Sequence, residues 1–125
     1  MCIRDSIGGE STRPGASKVS EHNEVLRVLP TIQALRHLNI PISLDTRNSG
    51  TMEVGSVAGV EIINDVSGLE NDKKSIDVIR KYRQTVVIMH MPGTPKNMMK
   101  KNIYNNVVLD VYDYLEKKNK LLFKK

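Results

Sequence analysis

The sequence predicts an α/β protein that is built around a parallel sheet. Along the chain, apolar residues at helical spacing alternate with short runs rich in β-branched residues. Three of these runs end in polar residues, Asp45, Asn64 and His90, which are nineteen and twenty-six residues apart. Repeated β-α units at this pitch imply parallel strands with right-handed crossovers. The spacing alone is compatible with an open doubly wound sheet or with part of a (β/α)8 barrel.

The glycine-rich stretch GGESTRPGA, residues 8–16, is predicted to be a loop that binds a ligand. It has no apolar side chain larger than alanine, so it cannot be a core strand or helix. Its glycines allow a ligand to approach the backbone closely, and Pro14 helps to turn the chain away. Thr12 and Arg13 offer a hydroxyl and a fork of donors for phosphate or carboxylate oxygens. A tight turn without a ligand is the alternative.

A first helix is predicted from Ser20 onward, because apolar residues recur there at steps of three and four. Ser20 is placed to cap this helix. Pro30 lies inside the pattern and is expected to kink or split the helix. The buried stripe is predicted to contain Val25, Val28, Leu29, Ile32, Leu35 and Leu38.

A short strand over residues 42–44 is predicted next, ending at Asp45. Residues 49–58 then predict a weak helix, because Gly50 and Gly55 each cost about 1 kcal/mol relative to alanine. We expect tertiary packing to hold this helix in place.

Gly59 is a natural terminator for that helix, and residues 60–63 predict the next strand. The following helix is expected to be capped by Asn71 or Asp72 and to run to about Tyr82.

The last predicted strand is 85–89, whose β-formers without alternation are typical of a strand covered on both faces. A loop over 91–95 leads to a final helix, and the methionines at 98 and 99 are interpreted as packing residues. The lysines near the end of the chain suit the C-terminus of that helix. Its buried face is predicted to contain Val108, Val111, Tyr112, Leu115 and Leu122.

Polar residues at the predicted strand ends form the candidate site. Both architectures bind ligands at the carboxyl ends of the strands, where Asp45, Asn64 and His90 fall together with Thr12 and Arg13. A carboxylate and a carboxamide can recognise a flat polar heterocycle, while the arginine can meet an anion. The alternatives are that Asp45 caps the following helix, that Asn64 hydrogen-bonds the backbone of its own loop, and that His90 is a core residue. The soft apolar lining of this mouth is predicted to come from Val66 and Met89.

Composition excludes several other classes of protein. A single cysteine, Cys2, rules out an internal disulfide, and no Cys/His cluster has the spacing of a zinc site. No apolar run approaches the length of a membrane span, so we expect a cytoplasmic protein that binds no membrane. The net charge of +5 arises from residues 96–125, where eight lysines face three acids. We interpret these lysines as a solvated helix face and expect no nucleic acid partner.

Four blocks of the chain, in this order and spacing, closely resemble the dihydropteroate synthase family of pterin-binding enzymes. The resemblance runs from Ile7 to about Leu115, and its glycine-rich loop is highly specific, whereas the other blocks are convincing only jointly. The blocks are residues 7–16, 43–46, 59–65 and 89–95.

The resemblance implies a TIM barrel that joins a dihydropterin pyrophosphate to p-aminobenzoate, releasing pyrophosphate, in folate biosynthesis. It implies that Thr12, Arg13 and Pro14 close over the aminobenzoate and pyrophosphate, and that Asp45 and Asn64 hydrogen-bond the pterin. Asp45 and Arg13 would then be the catalytic residues. The residues that would pack around the pterin ring are Val66 and Met89.

The same resemblance implies a magnesium cofactor, a homodimeric full-length enzyme and inhibition by sulfonamides. The family's magnesium-linked asparagine has no counterpart here, and we expect the dimer interface to lie outside this chain. A TIM barrel takes about 250 residues, so 125 residues would supply only the second to fifth β-α units. We therefore expect the chain by itself to be inactive, and to associate through open strand edges.

The resemblance also divides the chain. Residues 1–6 fit it poorly, since Ser6 stands where the family has an aspartate, and we interpret them as a non-native N-terminus. Residues 7–115 are predicted to form the partial barrel domain, and 116–125 the lysine-rich helix end. A folate-dependent methyltransferase of the corrinoid or methionine-synthase type is an alternative function, although the Thr12-Arg13 loop argues against it. A basic nucleic-acid-binding module is the second alternative.

Overall fold

Four parallel strands alternate with four helices. The helices and three of the strands follow the predicted order, and one further strand lies at the start of the described chain, where it overlaps the predicted loop at Gly8. The computed structural model describes residues 6–13, 15–91, 93 and 104–123. A 3-10 turn, Arg36–Leu38, follows the first helix. The elements are β1 (Ser6–Gly8), α1 (Glu21–Leu35), β2 (Ser43–Asp45), α2 (Ser49–Ala58), β3 (Ile62–Asp65), α3 (Ser75–Tyr82), β4 (Thr85–Ile88) and α4 (Val107–Leu122).

The strands lie side by side in the order β1-β2-β3-β4, and each pair is parallel. A doubly wound sheet reverses its strand order at a switch point, whereas a (β/α)8 barrel adds each new strand next to the previous one. The observed order therefore favours the barrel architecture over its rival.

The core lies between the sheet and helices α1, α2 and α3. Leu44 of β2 and Ile63 of β3 are completely buried, and they meet Val28 and Ile32 of α1 and Met52 of α2 in one apolar cluster. Burying such side chains is the main favourable contribution to folding. The cluster fixes the two central strands, whose carboxyl ends bear the polar residues of interest.

Helix α1 begins as predicted, because the Ser20 side chain accepts a hydrogen bond from the Asn23 amide at 3.3 Å. Pro30 does not split the helix, which runs unbroken to Leu35, so that half of the expectation is wrong, while the kink stays a prediction. Pro30 lies on the exposed side, where water can bind the carbonyl oxygen that its missing N–H leaves free. The stripe does not extend to Leu38, because the chain tightens into the 3-10 turn and Leu38 is exposed.

Helix α2 has the predicted bounds, and Gly59 ends it in the left-handed conformation at φ 99°. Acidic side chains from two neighbouring elements bind the amides of its first turn. Asp72 accepts a hydrogen bond from the Ser49 amide at 3.1 Å, and Glu21 accepts one from Gly50 at 3.3 Å. Negative charge at a helix N-terminus is favourable, so tertiary contacts do support this glycine-containing helix.

The predicted start of α3 is wrong. The helix begins at Ser75, and its N-cap residue, Lys74, makes no side-chain cap. Asp72 nevertheless contacts both helix starts, because one carboxylate oxygen accepts from the Lys74 amide at 3.0 Å and the other from the Ser49 amide of α2 at 3.1 Å. A sequence pattern cannot show that a neighbouring helix shares the same carboxylate.

Strand β4 is not covered on both faces, contrary to expectation. It ends at Ile88 rather than Met89, and its residues alternate between exposed and half-buried. Val87 is 43% exposed. The apolar run therefore predicted the strand correctly but overstated its burial in this chain.

The buried face of α4 also differs from the prediction. Val108 and Tyr112 point to solvent, being 72% and 61% exposed. Leu122 is half-buried and packs against the core, as predicted. The helix also packs through Tyr114 and the buried Lys118, which precede Leu122 at steps of four. Lys118 is held by Glu70 at 2.9 Å, so the view of every lysine here as solvated is wrong at this position.

No helix in the described part of the chain is long and apolar enough to cross a membrane. The predictions for residues 1–5, Pro14, Pro92, 94–103 and 124–125, which include the two adjacent methionines at 98 and 99, lie outside the described residues.

Alanine substitutions at the two glycines of α2 are predicted to differ in their effect on stability. A Cβ at Gly55 would overlap Cδ2 of the fully buried Leu44, whereas one at Gly50 would meet only the tip of the exposed Glu21 side chain. We expect Gly55→Ala to destabilise the fold by about 1–3 kcal/mol despite its better helix propensity. Gly50→Ala should stay within about 1 kcal/mol of the parent chain. Urea unfolding at low protein concentration measures both, and equal midpoints for the two variants would contradict the packing described here.

Candidate functional site

Asp45 and Asn64 lie side by side at the carboxyl edge of the sheet. Their Cα atoms are paired in the parallel register of β2 and β3, and the Asn64 side chain is near enough to lower the pKa of Asp45. Paired residues in adjacent strands point to the same face of the sheet. The structure thus brings these two predicted site residues together, while their role in binding stays a prediction.

The surroundings of Asp45 disfavour its charge. Burial is the main reason that the pKa of Asp45 is raised above its usual value, and the negative charges of Asp65 and Glu24 raise it further. The nearby Asn64 side chain acts in the opposite direction and lowers the pKa of Asp45. This carboxylate is therefore well placed to accept hydrogen bonds from N–H donors of a ligand, which would relieve the cost of its burial.

Asp65, the next residue of β3, has a structural role. It is completely buried and accepts hydrogen bonds from the Ser67 amide at 2.7 Å, the Ser67 hydroxyl at 2.6 Å and the Leu69 amide at 3.1 Å. Burial nevertheless raises the pKa of Asp65, although these bonds oppose the rise. Asp65 therefore caps the loop that follows its own strand.

The glycine-rich loop is attached to the body of the protein through Glu10. One carboxylate oxygen accepts from the Val19 amide at 2.9 Å, and the other accepts from Arg47 Nε at 2.8 Å. Sequence reasoning missed Glu10 and Arg47 as site-forming residues. The available signal was a lone acid in a loop of small polar residues, together with an arginine two residues after a predicted strand end.

Thr12 and Arg13 are less firmly placed than Glu10. Thr12 is half-buried, and the exposed Arg13 accepts a backbone hydrogen bond from the Ala16 amide at 3.0 Å. Between the described side chains, no hydrogen bond or ion pair joins Arg13 to Asp45 or Asn64. Pro14 lies outside the described residues. Among the described side chains, Arg13 is therefore not joined to Asp45 or Asn64 by a hydrogen bond or ion pair, and a shared site stays a prediction.

A second buried carboxylate, Glu24, lies beneath the same edge. One of its oxygens accepts from Asn48 Nδ2 at 2.8 Å and from Thr51 Oγ1 at 2.6 Å, and the side chain is fully buried. The loop passes directly over it, since a Cβ on Gly9 would come within 2.9 Å of Glu24 Cγ. Only glycine fits that approach. A glutamate within an amphipathic helix gave no sequence signal of this role.

The other predicted site residues have varied surroundings. Val66 is half-buried and Met89 is 42% exposed, so both leave apolar surface accessible. The His90 ring packs edge-on against Tyr114 with centroids 4.7 Å apart. This packing favours the alternative of a core histidine.

The described residues contain no group of three or more histidine, cysteine, aspartate or glutamate side chains that could hold a metal ion. The arrangement offers one half-buried carboxylate, one carboxamide and a flanking loop with a hydroxyl and a guanidinium. Chemically, it suits recognition of ring N–H groups and electrostatic stabilisation of positive charge. No nucleophile with an orienting base is present among these groups, so covalent catalysis has no support.

Comparison with known proteins assigns the chain to a family. The sequence profile of the family described as pterin binding enzyme matches residues 5–124. The chain belongs to the pterin-binding enzyme family. The predicted family resemblance is thereby confirmed over almost the whole length of the chain.

Relatives within the pterin-binding family include bacterial dihydropteroate synthases. The chain is 43% identical over 112 residues to that of Neisseria meningitidis serogroup C, covering 88% of this chain and 39% of the relative. The Bacillus subtilis dihydropteroate synthase is 40% identical over 106 residues, covering 84% of this chain and 35% of the relative. The chain thus spans well under half the length of the curated relatives it matches.

Solved structures agree with this assignment. The Yersinia pestis dihydropteroate synthase, in complex with a sulfonamide drug, superposes with a TM-score of 0.89 at 34% identity, covering 94% of this chain and 42% of that one. The structure of the Burkholderia cenocepacia dihydropteroate synthase with 7,8-dihydropteroate gives a TM-score of 0.80 at 40% identity. The match covers 94% of this chain and 42% of that one. This pterin-binding chain is therefore a partial TIM barrel, which confirms the predicted fold class.

The raised pKa of Asp45 predicts how Asp45→Asn changes stability with pH. Because the folded-state pKa lies above the ordinary 3.8, the group contributes stability below pH 3.8 that is lost as pH rises through the folded value. Asparagine removes that loss and keeps an oxygen to accept from Asn64. We expect Asp45→Asn to be at least as stable as the parent chain at pH 7, with the difference shrinking toward pH 3. Urea unfolding across this pH range measures it, and a variant that is clearly less stable at pH 7 would contradict the expectation.

Proposed function

We propose that the chain is part of a dihydropteroate synthase. In this reaction 6-hydroxymethyl-7,8-dihydropterin pyrophosphate and p-aminobenzoate give 7,8-dihydropteroate and pyrophosphate, a transfer step of folate biosynthesis. The observation that supports the proposal most strongly is the pairing of Asp45 with Asn64 in adjacent strands, at the carboxyl edge of a partial barrel of the pterin-binding family. The names of the similar proteins support the same reaction.

Asp45 and Asn64 are proposed to bind the pterin ring. The carboxylate would accept hydrogen bonds from the exocyclic amine and a ring N–H, while the carboxamide can donate to one ring atom and accept from another. The accessible apolar surfaces of Val66 and Met89 would contact the face of the ring. The half-buried position of Asp45 supports this role, because a ligand that donates to it compensates for its lost hydration.

The proposed chemistry is a displacement at the methylene carbon of the pterin. The bond from this carbon to the pyrophosphate oxygen breaks, the amine nitrogen of p-aminobenzoate forms the new bond, and the amine then loses a proton. Positive charge develops on the pterin-methyl group as pyrophosphate departs. Asp45, with Asp65 and Glu24 behind it, provides negative potential at this edge, which stabilises such a cation.

The glycine-rich loop is proposed to bind the second substrate and the leaving group. Thr12 and Pro14 would contact p-aminobenzoate, and the Arg13 guanidinium would meet the pyrophosphate oxygens, for which its fork of donors is suited. Arg13 is exposed, and no hydrogen bond or ion pair among the described side chains holds it, so its guanidinium is accessible to an anion. Because a sulfonamide can mimic p-aminobenzoate, we propose that sulfonamides bind at the p-aminobenzoate site beside this loop.

Magnesium is part of the proposal through the family resemblance. The described residues contain no cluster of three metal-binding side chains, and the family's magnesium-linked asparagine has no counterpart in this sequence. Magnesium that binds through phosphate oxygens and water needs only one or two protein ligands.

The remaining expectations complete the proposal. We propose a cytoplasmic enzyme that works as a homodimer with its interface outside this chain, and that binds neither membrane nor nucleic acid. The buried Lys118, paired with Glu70, supports the last point, because a nucleic-acid footprint needs its cations accessible. A folate-dependent methyltransferase remains the rival within the family, although the relatives compared here are named synthases.

The proposal is tested by restoring the rest of the barrel. We expect the 125-residue chain alone to form no dihydropteroate. Residues 6–123, grafted in place of the matched segment of the Yersinia pestis enzyme, should support turnover of both substrates. Asp45→Asn in this graft should lower turnover by about 100-fold or more, the size expected for loss of a preorganised charge at the reacting centre.

Asp77→Asn, which removes an exposed carboxylate of α3, is the matched control and should leave turnover unchanged. A folded graft without turnover, or an Asp45→Asn graft as active as the control, would refute the proposed function.

A further inference from the structure

Glu10 makes two hydrogen bonds that together close the glycine-rich loop and attach it to the next strand. Its bond to the Val19 amide joins the two ends of the loop across nine residues. Its bond to Arg47 crosses to the segment between β2 and α2, thirty-seven residues further along the chain. Both side chains are largely withdrawn from solvent, with 3% of the Glu10 and 12% of the Arg47 side chain exposed.

We infer that Glu10 and Arg47 are positioning residues, which hold the loop bearing Thr12 and Arg13 in register with the Asp45 edge of the sheet. Arg47 lies two residues after Asp45, so an ion pair to it ties the loop to the strand end that bears the carboxylate. This inference rests on the proposed function for its purpose, but the attachment itself is independent of any ligand.

The charges around this pair favour its formation. Arg47 is the cation facing Glu10, and the negative charges of Asp65 and Glu24 add to its stabilisation, so the pKa of Arg47 is raised. The hydrogen bonds from Arg47 and Val19 hold the pKa of Glu10 below its usual value, although burial opposes this. A shielded pair with directed hydrogen bonds is stronger than an exposed one.

Arg47 is itself fixed by its neighbours, so it can serve as an anchor. Its carbonyl oxygen accepts from Asn71 Nδ2 at 3.0 Å, and the same amide group donates to Asn48 Oδ1 at 3.2 Å. Asn48 in turn donates to the buried Glu24. The segments after β1, β2 and β3 are thus joined by hydrogen bonds, with Glu10 supplying the link to the first.

A second attachment limits how much of the loop Glu10 controls. Arg27 Nη1 of α1 donates to the Gly9 carbonyl at 2.9 Å, which fixes the start of the loop independently. Loss of Glu10 should therefore release residues after Gly9 while leaving the start of the loop in place.

Hydrogen exchange of the 125-residue chain, read at individual amides, tests the attachment. The Val19 amide reports on the loop, and the Ile63 amide of the buried central strand β3 reports on global unfolding. Glu10→Gln should speed exchange at Val19 by at least about tenfold, the lower range for a charge-assisted hydrogen bond. Arg47→Gln should also speed it, although Arg47 does not touch Val19, because Glu10 then loses its anchor.

The double variant should exchange at Val19 no faster than Glu10→Gln alone, since the two residues act as one unit. Glu53→Gln is the matched control, because it removes an ion pair of the same type with Lys81 at the exposed surface. We expect no change at Val19 in this control.

The inference is overturned if Val19 is unprotected in the parent chain, if Arg47→Gln leaves its protection unchanged, or if Ile63 is accelerated as much as Val19. In the Yersinia pestis graft, Glu10→Gln should raise the KM for p-aminobenzoate more than that for the pterin pyrophosphate. An unchanged ratio of KM values there would refute the positioning role, whereas loss of the effect of Asp45→Asn would refute only the proposed function.

Discussion

The parallel pairing of β2 with β3 decides where the functional groups of this protein lie. Three paired positions put Ser43, Leu44 and Asp45 opposite Ile62, Ile63 and Asn64. The two middle residues are fully buried and locked into the core, so their polar neighbours must emerge together at the carboxyl edge. A shift of one residue would turn Asp45 to the other side of the strand and separate it from Asn64.

Three carboxylates near this edge impose a cost that the surrounding structure must offset. Asp65 receives three hydrogen bonds from its own loop, and Glu24 receives two from α2 and the segment before it. Asp45 receives less, since Asn64 is the donor that lowers its pKa. The carboxylate with the fewest protein partners is therefore the one with most to gain from a ligand, which is the usual condition of a binding residue.

Loop attachment and ligand recognition are served by different residues of one short segment. Asp45 faces the proposed pterin site, whereas Arg47 holds the glycine-rich loop and Asn48 supports the buried Glu24. Because these residues follow one another directly after β2, the geometry of the mouth and that of the loop depend on the same strand end. One short segment can serve both purposes only at the carboxyl edge, because the segments after successive parallel strands meet there.

The sequence by itself determined the succession of helices and strands from α1 onward and the bounds of α2. It also placed Asp45 and Asn64 at the carboxyl ends of neighbouring strands. Local signals are sufficient for these features, because apolar spacing, a Ser20 cap and a glycine at φ 99° act within a few residues. Tertiary structure alone decided the use of Asp72, the packing face of α4 and the pairing of Glu10 with Arg47. Each of these depends on which distant group competes for a hydrogen bond or a buried position, and such competition is set by the packing of elements far apart in the chain.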